Sequence, residues 1–285
     1  MQVASLKLCP TSSFPIRGAC LSLLIVVWLA LSGCDQRPSA SEDGNRELIV
    51  FAAASLAEAF DEAARQFELN NPGVDVVLNL AGSQQLAHQL SQGAPADVFA
   101  SANEQQVEAV IEAGRVRSGS QQTFANNRLA VIIPADNPAG LRTLSDLDRP
   151  GLHFVLAAAE VPAGRYAVLF LDRAGDDPGY GPIFRDGVMA NVVSFEENVR
   201  AVLSKVRLGE ADAGIVYNSD VASKMVKDIH QLHIPEHLNV QADYIVAPIV
   251  DSQQPALARM FIDYLFDESG QELLKANGFV PTKYE

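Results

Sequence analysis

From Glu47 onward, short apolar runs alternate with segments whose apolar residues recur every three or four positions. The runs predict strands near 48–53, 74–80, 97–100, 129–133, 153–158, 190–193, 213–217 and 243–250, and the periodic segments predict helices between them. In 56–69 the residues Leu56, Ala59, Phe60, Ala63 and Phe67 share one face; in 195–208 the stripe is Phe195, Val199, Val202, Leu203 and Val206. The segment 255–276 reads as one long helix with Leu257, Met260, Phe261, Tyr264 and Leu265 inward, stopped by Gly278. This alternation predicts an α/β chain with mainly parallel sheets flanked by helices. The number of elements suits two similar lobes.

Several helix starts follow directly on strand ends. In "VFAAASLAEAF" the strand ends on three alanines and Ser55, with Glu58 three residues later in the spacing of a capping box. Ser101 with Glu104 and Ser194 with Glu197 repeat that spacing, so a helix-initiating serine is ordinary in this chain. Ser55 differs in its place after a strand, because open α/β sheets bind ligands beyond the carboxyl ends of their strands, against helix N-termini. The first N–H groups of a helix lack partners there, and the dipole favours an anion. "NLAGSQQLAHQL" repeats the arrangement, with Gly82 for an unusual turn and Ser83 at the helix start. "AAEVPAGRYAVLF" places Pro162 in a first turn beside the small Ala163 and Gly164. "VVSFEENVRAVL" and the strand "GIVY", ending at Tyr217, complete four helix starts and one phenol suited to a small anion.

The first 33 residues carry Lys7 and Arg17, then the apolar run "ACLSLLIVVWLALSG", with no acidic residue before Asp35. This pattern reads as an export signal, and the run is shorter than the roughly 18–20 residues of a spanning helix. "LSGC" resembles a bacterial lipobox, which makes Cys34 the expected lipidation site, and residues 34–46 read as a polar tether. Cys9 and Cys20 would leave with the leader, so no disulfide is expected. The formal charge of −14 over 285 residues argues against nucleic-acid binding.

Standard catalytic patterns are absent: no G-x-S-x-G elbow, no dinucleotide or phosphate-binding glycine loop and no H-E-x-x-H, so no enzyme activity and no cofactor is expected. "HQLHIPEH" places His230, His233 and His237 at separations of three and four, compatible with imidazole ligation of a metal, but Pro235 interrupts any helix through them and nothing completes the set. They read as surface histidines. His88 and His153 stand alone, and the Asp residues of "GDDPGY" and "LSDLD" belong to turns.

Taken together and in order, "VFAAASL", "GSQQLA", "GAPADVFASA", "EVPAGRYA", "ENVRAVL" and "GIVYNSD" resemble the molybdate-binding proteins of ABC importers, a group of type II periplasmic solute-binding proteins. The resemblance covers Leu48 to Phe279. It implies a two-lobed fold, each lobe a mainly parallel sheet flanked by helices, with residues 47–126 and 246–285 in lobe I and 127–245 in lobe II. Two crossings near Asn127 and Ile245 would serve as hinge. Carried onto this chain, it implies an oxyanion held by the hydroxyls of Ser55, Ser83 and Tyr217 and by the backbone N–H groups of Ala163 and Val199. The implied role is a monomeric, lipid-anchored receptor at the outer face of the inner membrane, in the periplasm, delivering molybdate or tungstate to an ABC permease. Another small anion, such as sulfate or an organic acid, is the alternative ligand.

Overall fold

The computed structural model describes residues 46–222 and 228–282; the expected leader, Cys34 and the tether up to residue 45 lie outside them. The elements in chain order are β1 (Arg46–Ala53), α1 (Ala57–Asn70), β2 (Val74–Ala81), α2 (Ser83–Ser91), β3 (Val98–Ser101), α3 (Glu104–Glu112) and β4 (Gln122–Pro134). They continue with β5 (Phe154–Ala157), α4 (Pro162–Asp176), α5 (Pro182–Ala190), β6 (Val192–Glu196), α6 (Val199–Arg207), β7 (Ala213–Tyr217) and α7 (Asn218–Ala222). Last come β8 (Ile229–Leu232), β9 (Gln241–Pro248), α8 (Pro255–Phe266), α9 (Glu268–Ala276) and β10 (Val280–Pro281).

The strands form two groups joined through β4. In the first, β1 pairs in parallel with β2 and β3, and the antiparallel β9 links β3 to the first half of β4. In the second, β5 pairs in parallel with β6 and β7, while the far half of β4 runs antiparallel to β7 and β8. The strand order is β2-β1-β3-β9-β4-β7-β5-β6. Each group therefore has a parallel heart with helices on its faces, which is the two-lobed α/β architecture expected. Parallel strands in such layers send their carboxyl ends to one edge, where the next helices begin.

The apolar stripes account for the packing. Leu56, Ala59, Phe60, Ala63 and Phe67 are all buried, as the period of α1 requires. Phe60 and Phe67 meet Phe261 of α8 at centroid distances of 5.9 and 5.3 Å, which anchors both helices to one core. Arg46 already pairs with Val74, so β1 begins inside the stretch expected to be tether. Ile245, expected at the second crossing, lies well inside the first group of strands, opposite Ser101 and Thr123.

Other expectations are corrected. The predicted 255–276 helix is two helices, because Asp267 adopts extended backbone (φ −73, ψ 170) and its carboxylate accepts from Gly270 N–H at 2.7 Å to start α9. Met260 faces solvent, and Ile262 takes the inward place. Helix α6 begins at Val199, so Phe195 belongs to β6 and is exposed rather than part of the helical stripe. None of the three serine capping boxes forms. Asn103 and Asn198 cap α3 and α6 by accepting from Gln106 and Ala201 N–H, at 3.2 and 3.0 Å, and the Ser194 hydroxyl donates to Glu196. The carboxamide oxygen, carried on a flexible stem, reaches the N–H groups that the serines, held in strand geometry, do not.

Candidate functional site

Five strand ends converge on one edge. After β1 the chain makes a buried turn, Ala54–Leu56, before α1; after β2 it passes through Gly82 into α2; after β5 and β6 it enters α4 and α6; β7 ends at Tyr217. A small cleft with about 210 Å³ of atom-free space, part of it open to solvent, lies between them, and Ser55, Ser83, Ala163, Val199 and Tyr217 all line it. So do Ala53, Ala54, Gly82, Ala102 and Asn198, and no charged side chain is among its lining residues. All five residues singled out in the sequence thus border one space, contributed by both groups of strands.

Each is a hydrogen-bond donor whose partner is missing or incomplete. Val199 and Ala163 occupy the first and second positions of α6 and α4, where a backbone N–H has no acceptor within its own helix. Pro162 opens α4, and Gly164 lets it sit against β5, since a Cβ there would collide with the carbonyls of Ala157 and Ala158. The Ser83 oxygen accepts from Ala102 N–H at 3.1 Å, which leaves its proton for the cavity. The Tyr217 hydroxyl is buried and has no partner among the described residues, an arrangement that costs about 1–3 kcal/mol unless a ligand completes it. Burial holds that phenol well above its ordinary pKa of 10, so it is a proton donor at neutral pH.

Ser55 does not cap α1. Its Oγ lies 2.7 Å from the Tyr244 hydroxyl, and the Glu58 carboxylate binds Arg200 instead. Gly82 has ordinary extended backbone (φ −58), so its value is room rather than turn geometry: a Cβ would meet the Gln84 carboxamide at 2.6 Å.

Contacts between the two groups of strands ring the cavity. Gln84 and Gln85 of α2 donate to the Glu197 carbonyl and carboxylate at 2.9 and 3.2 Å, and Arg165 reaches Gln105. Arg200 bridges Glu58 and lies 3.6 Å from the fully buried Asp220. Burial outweighs that cation and pushes the Asp220 carboxyl up to about 7. Tyr244, Asn198 and Arg200 carry no sequence signal that marks them for the site; only the "N-x-x-A" spacing before α6 hints at Asn198 as a cap.

Among the described residues no group of three His, Cys, Asp or Glu side chains is placed to hold a metal ion. His230 and His233 are exposed, and His237 pairs with Asp177 at 3.0 Å. His88 and His153 are also exposed. Asp177 and Asp146 bond to turn N–H groups, as their turns require.

A family model for bacterial extracellular solute-binding proteins matches residues 48–280. The chain is similar to the molybdate-binding protein ModA of Mycobacterium tuberculosis, at 38% identity over 91% of this chain and 95% of that protein. It is 34% identical to ModA of Escherichia coli over 82% of this chain and 88% of that one. A solved structure, the periplasmic molybdate-binding protein of Azotobacter vinelandii, aligns with a TM-score of 0.72 at 22% identity, over 83% of this chain and all of that one. That likeness carries the fold. With the family model spanning nearly all of the described residues, and with the donor-lined cavity where such a fold places its ligand, the chain belongs to the bacterial extracellular solute-binding proteins, which bind and deliver a solute rather than transform it.

Proposed function

We propose that this protein is a receptor for molybdate or tungstate that hands its ligand to an ABC importer. The observation that carries this reading is the convergence of five neutral donors, Ser55, Ser83, Tyr217, Ala163 N–H and Val199 N–H, on one small cavity free of charged side chains. A buried dianion needs every oxygen hydrogen-bonded, and bonds to a charged group contribute about 1.5–3 kcal/mol each. Five or more offset its desolvation without a salt bridge that would slow release. Donors alone also favour an anion that carries no proton, which speaks for molybdate, tungstate or sulfate over hydrogen phosphate. The relatives named molybdate-binding favour the first two.

In this reading lobe I comprises residues 47–126 and the C-terminal part of the chain, and lobe II lies between. The first crossing is at Asn127 in β4. The second is best put at Asn239–Val240, just before β9 joins the first group of strands. Closure is a hinge motion about these two points. Cys34 is the lipid attachment that holds the monomeric receptor beside its permease.

Calorimetric titration of the chain without its first 43 residues tests the assignment. Molybdate and tungstate should bind at micromolar or tighter, and sulfate and phosphate at least a hundredfold more weakly, about 2.7 kcal/mol. Sulfate binding as tight as molybdate binding would overturn it. Labelling of Cys34 by radioactive palmitate in the expressing bacterium tests the anchor.

A further inference from the structure

Arg200 follows Val199, one of the residues that line the cavity, and its guanidinium stands between two carboxylates that belong to different groups of strands. Glu58, on α1 of the first group, accepts from Nη2 at 2.5 Å and from Nη1 at 3.2 Å. Asp220, on α7 directly after β7 of the second group, has its Oδ1 3.6 Å from Nη1. That is an ion pair without a hydrogen bond.

Asp220 has one oxygen engaged and one unengaged. Oδ2 accepts from Tyr217 N–H at 2.9 Å, which fixes the side chain to the last residue of β7. Oδ1 is buried and makes no hydrogen bond among the described residues. The other polar groups close enough to act on this carboxyl are the phenols of Tyr217 and Tyr244, and neither bonds it: the first has no partner among the described residues, and the second is held by Ser55. Nη1 carries two hydrogens and gives one to Glu58, so it has a second for Oδ1. A movement of under about 1 Å would bring the two within the range of a charge-assisted bond.

The placement of the three side chains gives that movement a use. Arg200 and Asp220 belong to the same group of strands, since α6 and β7 pack together, whereas Glu58 belongs to the other. We propose that Arg200 is a partner-exchange latch: it holds Glu58 across the cleft while the lobes are closed and passes to Asp220 Oδ1 when they part. This rests on the two-lobed receptor reading above. Asp220 touches no ligand, yet it lowers the cost of opening, because the bond to Glu58 is replaced rather than simply lost and a buried carboxylate oxygen gains its donor. Arg200 sits beside Val199, so the exchange accompanies withdrawal of a ligand donor, and the consequence is faster release.

The test is the rate of molybdate release from the full chain, measured by isotope chase at pH 8, where Asp220, titrating near 7, is mostly ionised. It compares wild type, Glu58→Ala, Asp220→Asn and the double variant. Glu58→Ala should speed release and Asp220→Asn should slow it, each about two- to fivefold, the size of a partly screened ion pair. With Glu58 already replaced, Asp220→Asn should change the rate less than about twofold, because the exchange no longer takes place. An Asp220→Asn protein that releases as fast as wild type or faster, or that slows release equally with and without Glu58, would overturn the proposal. The crystal structure of Glu58→Ala reads the exchange with no ligand and with Asp220 intact. A hydrogen bond from Arg200 to Asp220 Oδ1 supports it, and a guanidinium still out of reach of that oxygen overturns it. A wild type that binds no molybdate would instead refute the oxyanion reading, while the Glu58→Ala structure would still decide the exchange.

Discussion

Arg200 of α6 holds Glu58 of α1 through two nitrogens, at 2.5 and 3.2 Å, and so ties together helices from the two groups of strands beside the cavity. The same guanidinium lies 3.6 Å from Asp220, whose carboxyl is completely buried. The two carboxylates are not equivalent partners. Glu58 and Arg200 retain 23% and 29% of their side-chain exposure, so water screens that pair, and a pair of this kind contributes about 0–1 kcal/mol. Asp220 has no water to fall back on. Glu58→Gln should therefore change equilibrium stability by no more than about 1 kcal/mol while speeding ligand release, measured by stopped-flow chase with excess unlabelled ligand. Arg200→Met should cost more, and more at pH 8 than at pH 5, because only the ionised Asp220 needs the cation; urea titrations at both pH values check this.

Asp220 also gives the fold a pH dependence of definite sign. Its carboxyl titrates near 7 in the folded protein against 3.8 ordinarily, with burial the main cause and Arg200 opposing it. Between those values the folded state holds a proton that the unfolded state has released. The contribution of Asp220 to stability therefore falls as pH rises from about 4 to about 7 and is level above, with a slope of at most about 1.4 kcal/mol per pH unit. Asp220→Asn keeps an acceptor for Tyr217 N–H, now 2.9 Å from the carboxylate, and should remove this slope in urea titrations from pH 4 to 8.

Tyr217 should separate stability from binding. Its hydroxyl has no partner among the described residues, so Tyr217→Phe is expected to leave the ligand-free protein as stable as wild type or up to about 1–3 kcal/mol more so. The same change should weaken oxyanion binding at least tenfold. Ser55→Ala should likewise weaken binding but also destabilise the ligand-free protein, by about 1–3 kcal/mol, since it leaves the buried Tyr244 hydroxyl without its partner. Calorimetric titration and thermal unfolding of each ligand-free variant provide both readouts.

Gly164 offers a contrasting case. Any Cβ there meets the carbonyls of Ala157 and Ala158, so α4 has to move off β5, carrying Ala163 with it. Gly164→Ala should cost stability, about 1–3 kcal/mol or more, and binding together. Thermal unfolding and titration falling in step would distinguish it from Tyr217→Phe.

Much of this was legible from one dimension. The α1 stripe, the strand cores and the strand-to-helix junctions at Ser55, Ser83, Pro162 and Val199 follow from local periodicity, turn residues and helix-start chemistry, which depend on neighbours in sequence. The misreadings are equally local. A Ser-x-x-Glu spacing looks the same whether or not the serine is bound elsewhere, and Ser55 is bound to a residue 189 positions away. The break at Asp267 is hidden in the sequence because no Pro or Gly stands at the junction, and the aspartate acts as a cap only through the backbone turn it takes in the fold.

The sequence by itself determined which residues were able to act as donors, because hydroxyls, small side chains and first-turn N–H groups are properties of residue type and near neighbours. Tertiary structure alone decided how they act. It placed β9 beside β3, one strand away from β1, so that Tyr244 meets Ser55, set Ala102 N–H against Ser83, left the Tyr217 hydroxyl without a partner among the described residues and buried Asp220 beside Arg200. Those relationships depend on strand order and on exclusion of water, which are set by the packing of distant segments and leave no periodic trace in the chain.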